Sequence, residues 1–146
     1  MFVNLEYGSQ SVRLFRQNAN ALADYLVLQN RKNTLTARKR EVINLVVSQV
    51  NECAYCLIAH TVAGGLQGFT TEEILLIRKA NIDFDTRLGT LAKFVKATAI
   101  NSGLPDAALV DYFLAADYSE AHLIDMILVK EIKRSVITCT ALSFFL

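Results

Sequence analysis

Along nearly the whole chain, apolar positions recur at spacings of three and four residues, the period of an α-helix and not of a strand. Only one proline and six glycines punctuate it, so long helices with few breaks are expected and no strand is predicted. Ser9 or Ser11 caps a first helix running to about Leu28, with Leu14, Ala21, Leu22, Tyr25, Leu26 and Leu28 on its buried side. Polar residues Gln29 to Asn33 form a loop. Thr34 or Thr36 then starts a second helix. Its apolar set, Val42, Ile43, Leu45, Val46, Val47 and Val50, covers more than half the circumference, which marks a central helix. Asn51 breaks that helix and caps a third, Glu52 to Ala63, which Gly64-Gly65 closes. The capping box Thr70-Thr71-Glu72-Glu73 opens a fourth helix, ending at Ala80. Asp83 or Asp85 opens a fifth, ending at Gly103, and Pro105 suits the first turn of a sixth. Ser119-Glu120 starts a seventh, which continues past Ile137 into the apolar tail Ala141 to Leu146. No linker or repeat divides the chain, so residues 1–146 read as one all-α domain.

Composition sharpens this picture. The chain has 146 residues, 53% of them hydrophobic and 20% charged, more apolar than a monomer's surface requires, and a homo-oligomer is expected. A net charge of +1 provides no field to gather nucleic acid. The clusters Arg31-Lys32 and Arg38-Lys39-Arg40 read as a solvated face around a helix start. The longest uncharged run, Cys53 to Thr71, holds His60, Gln67 and three glycines, so it is not a membrane span. The opening residues lack the basic-then-apolar pattern of a signal peptide. Three cysteines, two of them in a C-x-x-C, argue against a secreted disulfide framework and for a reducing cytoplasmic setting.

Candidate chemistry concentrates in Cys53-Ala54-Tyr55-Cys56-Leu57-Ile58-Ala59-His60. At ~100° per residue, Cys56 and His60 lie within roughly 60° of Cys53 on one helical face, and Tyr55 points away. Cys53 falls in the first helical turn, where the dipole lowers a thiol pKa, while Glu52 beside it works the other way. His60 stands one turn beyond Cys56 and could take its proton. Spacing alone leaves open which thiol attacks. If the second and third helices form an antiparallel hairpin turning near Asn51, Glu41 lies ~15 Å back along one arm and His60 ~13 Å along the other. The two are then roughly level, and Glu41, His60, Cys56, Cys53 make a feasible proton relay. A C-x-x-C can also bind zinc with His60 and Glu41, but no second close ligand pair is present, because His122 and Cys139 fall on other helices. No metal is expected. Cys139 reads as core, His122 as exposed or interfacial without a partner, and Phe69, Phe94, Phe113 and Tyr112 as core or interface.

The pattern Glu41, eleven residues, Cys53-x-x-Cys56, three residues, His60 resembles the AhpD-like alkylhydroperoxidases of the carboxymuconolactone decarboxylase superfamily. The flanks agree: a basic residue before Glu41, an apolar helix, Tyr55 before the second cysteine, and Gly68-Phe69-Thr70-Thr71-Glu72-Glu73. The resemblance spans roughly residues 20 to 135. It implies an all-α fold whose central antiparallel helix pair carries the C-x-x-C, assembled as a homotrimer or homohexamer. It also implies reduction of hydroperoxides with no cofactor, haem, flavin or metal. In that scheme Cys56 is the peroxidatic thiol, Cys53 its resolving partner, and Glu41 and His60 the proton relay. A dithiol such as dihydrolipoamide or a lipoylated protein restores the pair. The best-known hydroperoxidases of the family carry a second histidine where this chain has Tyr55, a departure that bears on rate and substrate. Two rival functions remain. One is lactone decarboxylation, which needs acid–base groups but not two thiols. The other is a redox-sensing or structural oligomer whose disulfide does not turn over.

Overall fold

Helix α3, Ala37–Val50, carries apolar side chains around most of its circumference, and the molecule is built around it. Val42, Ile43, Leu45, Val46 and Val47 are fully buried, each burial stabilising the fold by roughly 1.5–3 kcal/mol. The computed structural model describes residues 10–101 and 103–145. Among these, all regular structure is helical: α1 Gln10–Phe15, α2 Ala19–Asn30, α3, α4 Ala54–Leu66, α5 Thr71–Lys79, α6 Thr86–Ile100, α7 Ala107–Ala115 and α8 Glu120–Ser143. Helices α4, α5, α6 and α8 all pack on α3. Ile74 and Ile77 of α5, Leu91 and Phe94 of α6, Phe113 of α7 and Met126 of α8 complete the core. Phe113 stacks between Phe94, at 4.8 Å, and Tyr118, at 4.5 Å.

The caps explain most boundaries. Thr36, Asp85 and Ser119 accept backbone N–H bonds at the starts of α3, α6 and α8. The Thr70 capping box is complete: Glu73 N–H donates to Thr70 Oγ1 at 3.2 Å, and Thr70 N–H to Glu73 Oε2 at 2.9 Å. Helix α8 runs through Ile137 into the tail as expected, and leaves Phe144 and Phe145 exposed.

Several expectations are corrected. The first helix is two, because Asn18 accepts from Ala21 N–H at 3.1 Å and starts α2 afresh. Ser9 lies outside the described residues. Helix α2 has no buried residue: it sits at the edge, touching only α1 and α8 among its larger contacts. Leu28 is exposed, and Leu14, Ala21, Leu22, Tyr25 and Leu26 are half-buried. Asn51 ends α3 rather than capping the next helix, and Cys53 takes the capping position of α4. Gly64 and Gly65 lie within α4. The chain leaves that helix at Gly68, φ +85°, with Phe69 N–H donating to Gly64 O and Gly68 N–H to Gly65 O. This is a Schellman closure, and the residue in its left-handed position is the third glycine rather than the first two. Helix α6 stops at Ile100, before Gly103, and Pro105 precedes the α7 cap, Asp106, instead of entering its first turn.

The loop between α2 and α3 is fastened from below by Asp125, a buried carboxylate on α8. It accepts from Thr34 N–H at 2.6 Å and from the Thr34 hydroxyl at 2.7 Å, and pairs with Arg31. Among the described residues, no helix is long and apolar enough to cross a membrane.

Candidate thiol and acid–base site

The turn between α3 and α4 sets the site. Glu52 adopts the left-handed conformation, φ +52°. Glu52 N–H donates to Gln49 O and Cys53 N–H to Ser48 O, a Schellman reversal made with glutamate in place of glycine. The chain therefore doubles back at once, and α3 and α4 run antiparallel with the C-x-x-C at their junction. Cys53 caps α4: its sulfur accepts from Cys56 N–H at 3.4 Å. Cys53 and Cys56 are joined as a disulfide, with Cα atoms 5.3 Å apart. Cys56 is fully buried, and Cys53 is partly exposed.

One turn further along α4, His60 is buried and faces Glu41 of α3, also buried. His60 Nδ1 lies 2.7 Å from Glu41 Oε2. Asn44, one turn along α3, donates to Glu41 Oε1 at 3.3 Å. A carboxylate accepts and does not donate, so the ring donates to it through Nδ1. The hairpin register expected from helical rise is thus present: Glu41 and His60 are level and in contact. The disulfide and the acid–base pair occupy successive turns of one helix.

Other residues fall elsewhere. Tyr55 is on the outer side of α4, 43% exposed. Phe69, Phe94 and Phe113 are core, and Tyr112 is exposed. Cys139 is a free, half-buried thiol on α8 whose pKa burial pushes up, away from reactivity. His122, expected to have no partner, has one. Its Nδ1 accepts from Ser119 N–H at 3.1 Å, where a capping box usually places glutamate. Burial first, then the charges of Lys39 and Arg87, hold its pKa below the ordinary histidine value. Among the described residues, no three of His, Cys, Asp and Glu are gathered in a way that could hold a metal ion.

Sequence reasoning missed a cavity of about 360 Å³ against the Glu41–His60 pair. Arg31, Arg40, Asn44 and Lys133 are among its polar lining, together with Gln29, Asn30 and Asn33, and Leu28, Val129 and Ile132 are among its apolar walls. In the sequence Lys130 and Lys133 stand among Glu131, Arg134 and Ser135 and read as a solvated helix face, so no signal marked them, yet both are buried and Lys133 lies in the cavity wall.

Residues 15–86, about half of the chain, match the model of the Carboxymuconolactone decarboxylase family. The match covers α2 to α5 and holds Glu41, Cys53, Cys56 and His60. No match was found among curated proteins. With this match and an all-helical fold whose central antiparallel pair bears the C-x-x-C, the chain belongs to the carboxymuconolactone decarboxylase family.

Proposed function

We propose that this protein is a thiol-dependent peroxidase that reduces hydroperoxides through a Cys53–Cys56 dithiol/disulfide cycle. The observation that carries this reading is a buried Glu41–His60 hydrogen bond one helical turn from a cysteine pair already close enough to be bonded. Lactone decarboxylation needs no such pair.

In the reduced protein the Cys56 thiol passes its proton to His60 Nε2, and the Glu41 carboxylate stabilises the imidazolium. The Cys56 thiolate attacks the terminal peroxide oxygen. The O–O bond breaks, the departing alkoxide takes a proton from the imidazolium, and an alcohol leaves. Cys56 is now a sulfenic acid. The Cys53 thiol attacks its sulfur, water departs, and the disulfide forms. One hydroperoxide and two thiols have become one alcohol, one water and one disulfide. For the return half-cycle, a dithiol donor of the dihydrolipoyl class attacks the sulfur of Cys53, the more exposed of the two. The donor thiol gives up its proton to His60 as it attacks, and Cys56, leaving as a thiolate, recovers that proton from His60. The donor's second thiol then displaces Cys53 and closes the donor's own disulfide. No cofactor or metal enters the scheme.

The reading includes a homotrimer or homohexamer. Tyr55, Ile58, Val62 and Leu66 form an exposed apolar stripe down the outer side of α4, the kind of surface a second copy covers. It also includes residence in the cytoplasm, where a dithiol cycle can be kept reduced.

The test is stopped-flow mixing of the reduced protein with cumene hydroperoxide, with thiols counted afterwards. The expected result is loss of two thiols per chain, restored by dihydrolipoamide over many cycles. No reaction, with both thiols intact, would overturn the reading. A single oxidation without turnover would point to a redox-sensing oligomer.

A further inference from the structure

Ser48 is fully buried, and its hydroxyl has no hydrogen-bond partner among the described residues. Other helical hydroxyls of this chain are satisfied locally: Thr61, Ser135 and Thr140 each donate to the carbonyl four residues back. A buried hydroxyl left unpaired costs stability, so its presence calls for a reason. Its position supplies one. The seven residues from Glu41, at ~100° each, bring Ser48 within roughly 20° of it on α3. Glu41 and Leu45, which share that face, meet His60 and Gly64 of α4. Ser48 therefore points at α4. Glu41 and His60 are level, and Ser48 and Cys53 each stand seven residues nearer the turn, so they are level too. Cys53 N–H, donating to Ser48 O at 3.0 Å, fixes that register. Cys53 is bonded to Cys56, which is fully buried on the same side of α4 as His60.

We infer that the Ser48 hydroxyl donates to the Cys56 thiolate when the disulfide opens, and so holds the charge left on that sulfur. This rests on the dithiol cycle proposed above and adds a residue to it. A disulfide sulfur is a weak acceptor, whereas a thiolate carries a full charge and forms a charge-assisted bond. The hydroxyl is thus idle in the oxidised protein and engaged in the reduced one. Cys53 already has a donor, since Cys56 N–H reaches its sulfur at 3.4 Å. Ser48 gives the buried Cys56 sulfur one as well. Burial in apolar surroundings raises a thiol's pKa, so a thiolate without exposed surface needs such a donor. His60 stands one turn beyond Cys56, and Ser48 stands on the facing helix nearer the turn. An imidazole there removes the thiol's proton, and a serine hydroxyl stabilises the anion without competing for that proton.

The first measurement uses a chain in which Cys53→Ser and Cys139→Ser leave Cys56 as the sole thiol, titrated by the ultraviolet absorbance of the thiolate. Adding Ser48→Ala should raise the Cys56 pKa by about one unit, the scale of one charge-assisted hydrogen bond. In the otherwise unchanged chain, Ser48→Ala should move the equilibrium with dihydrolipoamide and lipoamide toward the protein disulfide. It removes a donor from the reduced form and an unpaired polar atom from the oxidised one. At a pH where Cys56 is ionised, the thermal midpoint of the reduced variant should fall and that of the oxidised variant should not. A role in packing alone would move both midpoints alike and leave the pKa where it was. An unmoved Cys56 pKa, or an oxidised midpoint that falls as far as the reduced one, overturns the inference. None of these readouts needs peroxide turnover, so they separate the two ideas. If the protein reduces no peroxide but Ser48→Ala raises the Cys56 pKa, the peroxidase reading fails and the thiolate donor stands. If peroxide is reduced and the pKa is unmoved, the donor fails and the peroxidase stands.

Discussion

At the scale of single residues, reactivity depends on which groups share the buried end of α4. Cys56 has no exposed surface to speak of, whereas Cys53 is reachable. The two sulfurs therefore have different tasks although they belong to one bond. In the proposed cycle Cys56→Ser lacks the attacking thiolate, and peroxide reduction should fall by at least about a hundredfold. The check is the stopped-flow rate together with a count of the thiols consumed. His60→Ala removes the proton acceptor, and the rate at neutral pH should fall by about 10²–10⁴-fold. The variant should recover rate as pH rises, because the thiol then ionises without help, and a pH–rate profile parallel to that of the parent protein would sink the relay. Helical rise made the pairing of Glu41 with His60 legible in the sequence, since both lie at nearly equal distances from Asn51. The hydrogen bond from Asn44 to Glu41 was equally open to inference from i,i+3 spacing, but an asparagine among valines and leucines carries no chemical signature of its own.

At the scale of elements, start signals were read more accurately than stop signals. Thr36, Thr70, Asp85 and Ser119 all cap as their side chains dictate, because an N-cap bond spans three residues and needs nothing from elsewhere. Stops depend on which residue can take the left-handed conformation at the right point in the packing. Gly64 is buried between Leu45 and Ile74, so α4 continues through it and closes at Gly68. The α8 start has a pH dependence of its own. His122 Nδ1 accepts a hydrogen bond from Ser119 N–H, and protonation removes that acceptor. Its folded pKa is lowered from 6.5, so the unfolded chain binds the proton more readily than the folded one. This contribution is fully present at high pH and is lost as pH falls through 6.5 and below. Thermal midpoints measured between neutral and mildly acidic pH should therefore drop less steeply in His122→Gln than in the parent protein. Equal slopes would show that the histidine is not part of the acid response.

For the whole molecule, the questions are what surrounds the site and what covers the outside of α4. The stripe Tyr55, Ile58, Val62, Leu66 runs along the helix that carries both cysteines, on the side away from α3. If copies of the chain meet there, Ile58→Asp, at a position 69% exposed in one chain, should shift the assembly toward smaller species while leaving the helical content of the chain intact. Sedimentation velocity with circular dichroism reads both, and an unchanged sedimentation coefficient would remove this stripe from the interface. The sequence by itself determined the helical class, the central place of α3, most of the N-caps and the register that brings Glu41 to His60. Each of these follows from a repeat of 3.6 residues or from hydrogen bonds between near neighbours, so a short window contains all the physics. Only the tertiary structure decided that α2 stays at the edge, that Asp125 fastens the loop ahead of α3, and that Arg40 and Lys133 meet in one cavity beside the acid–base pair. Those outcomes depend on how α2, α3 and α8 settle against one another. Side chains far apart in the chain share a wall only once the packing of the whole core has set the distances between helices.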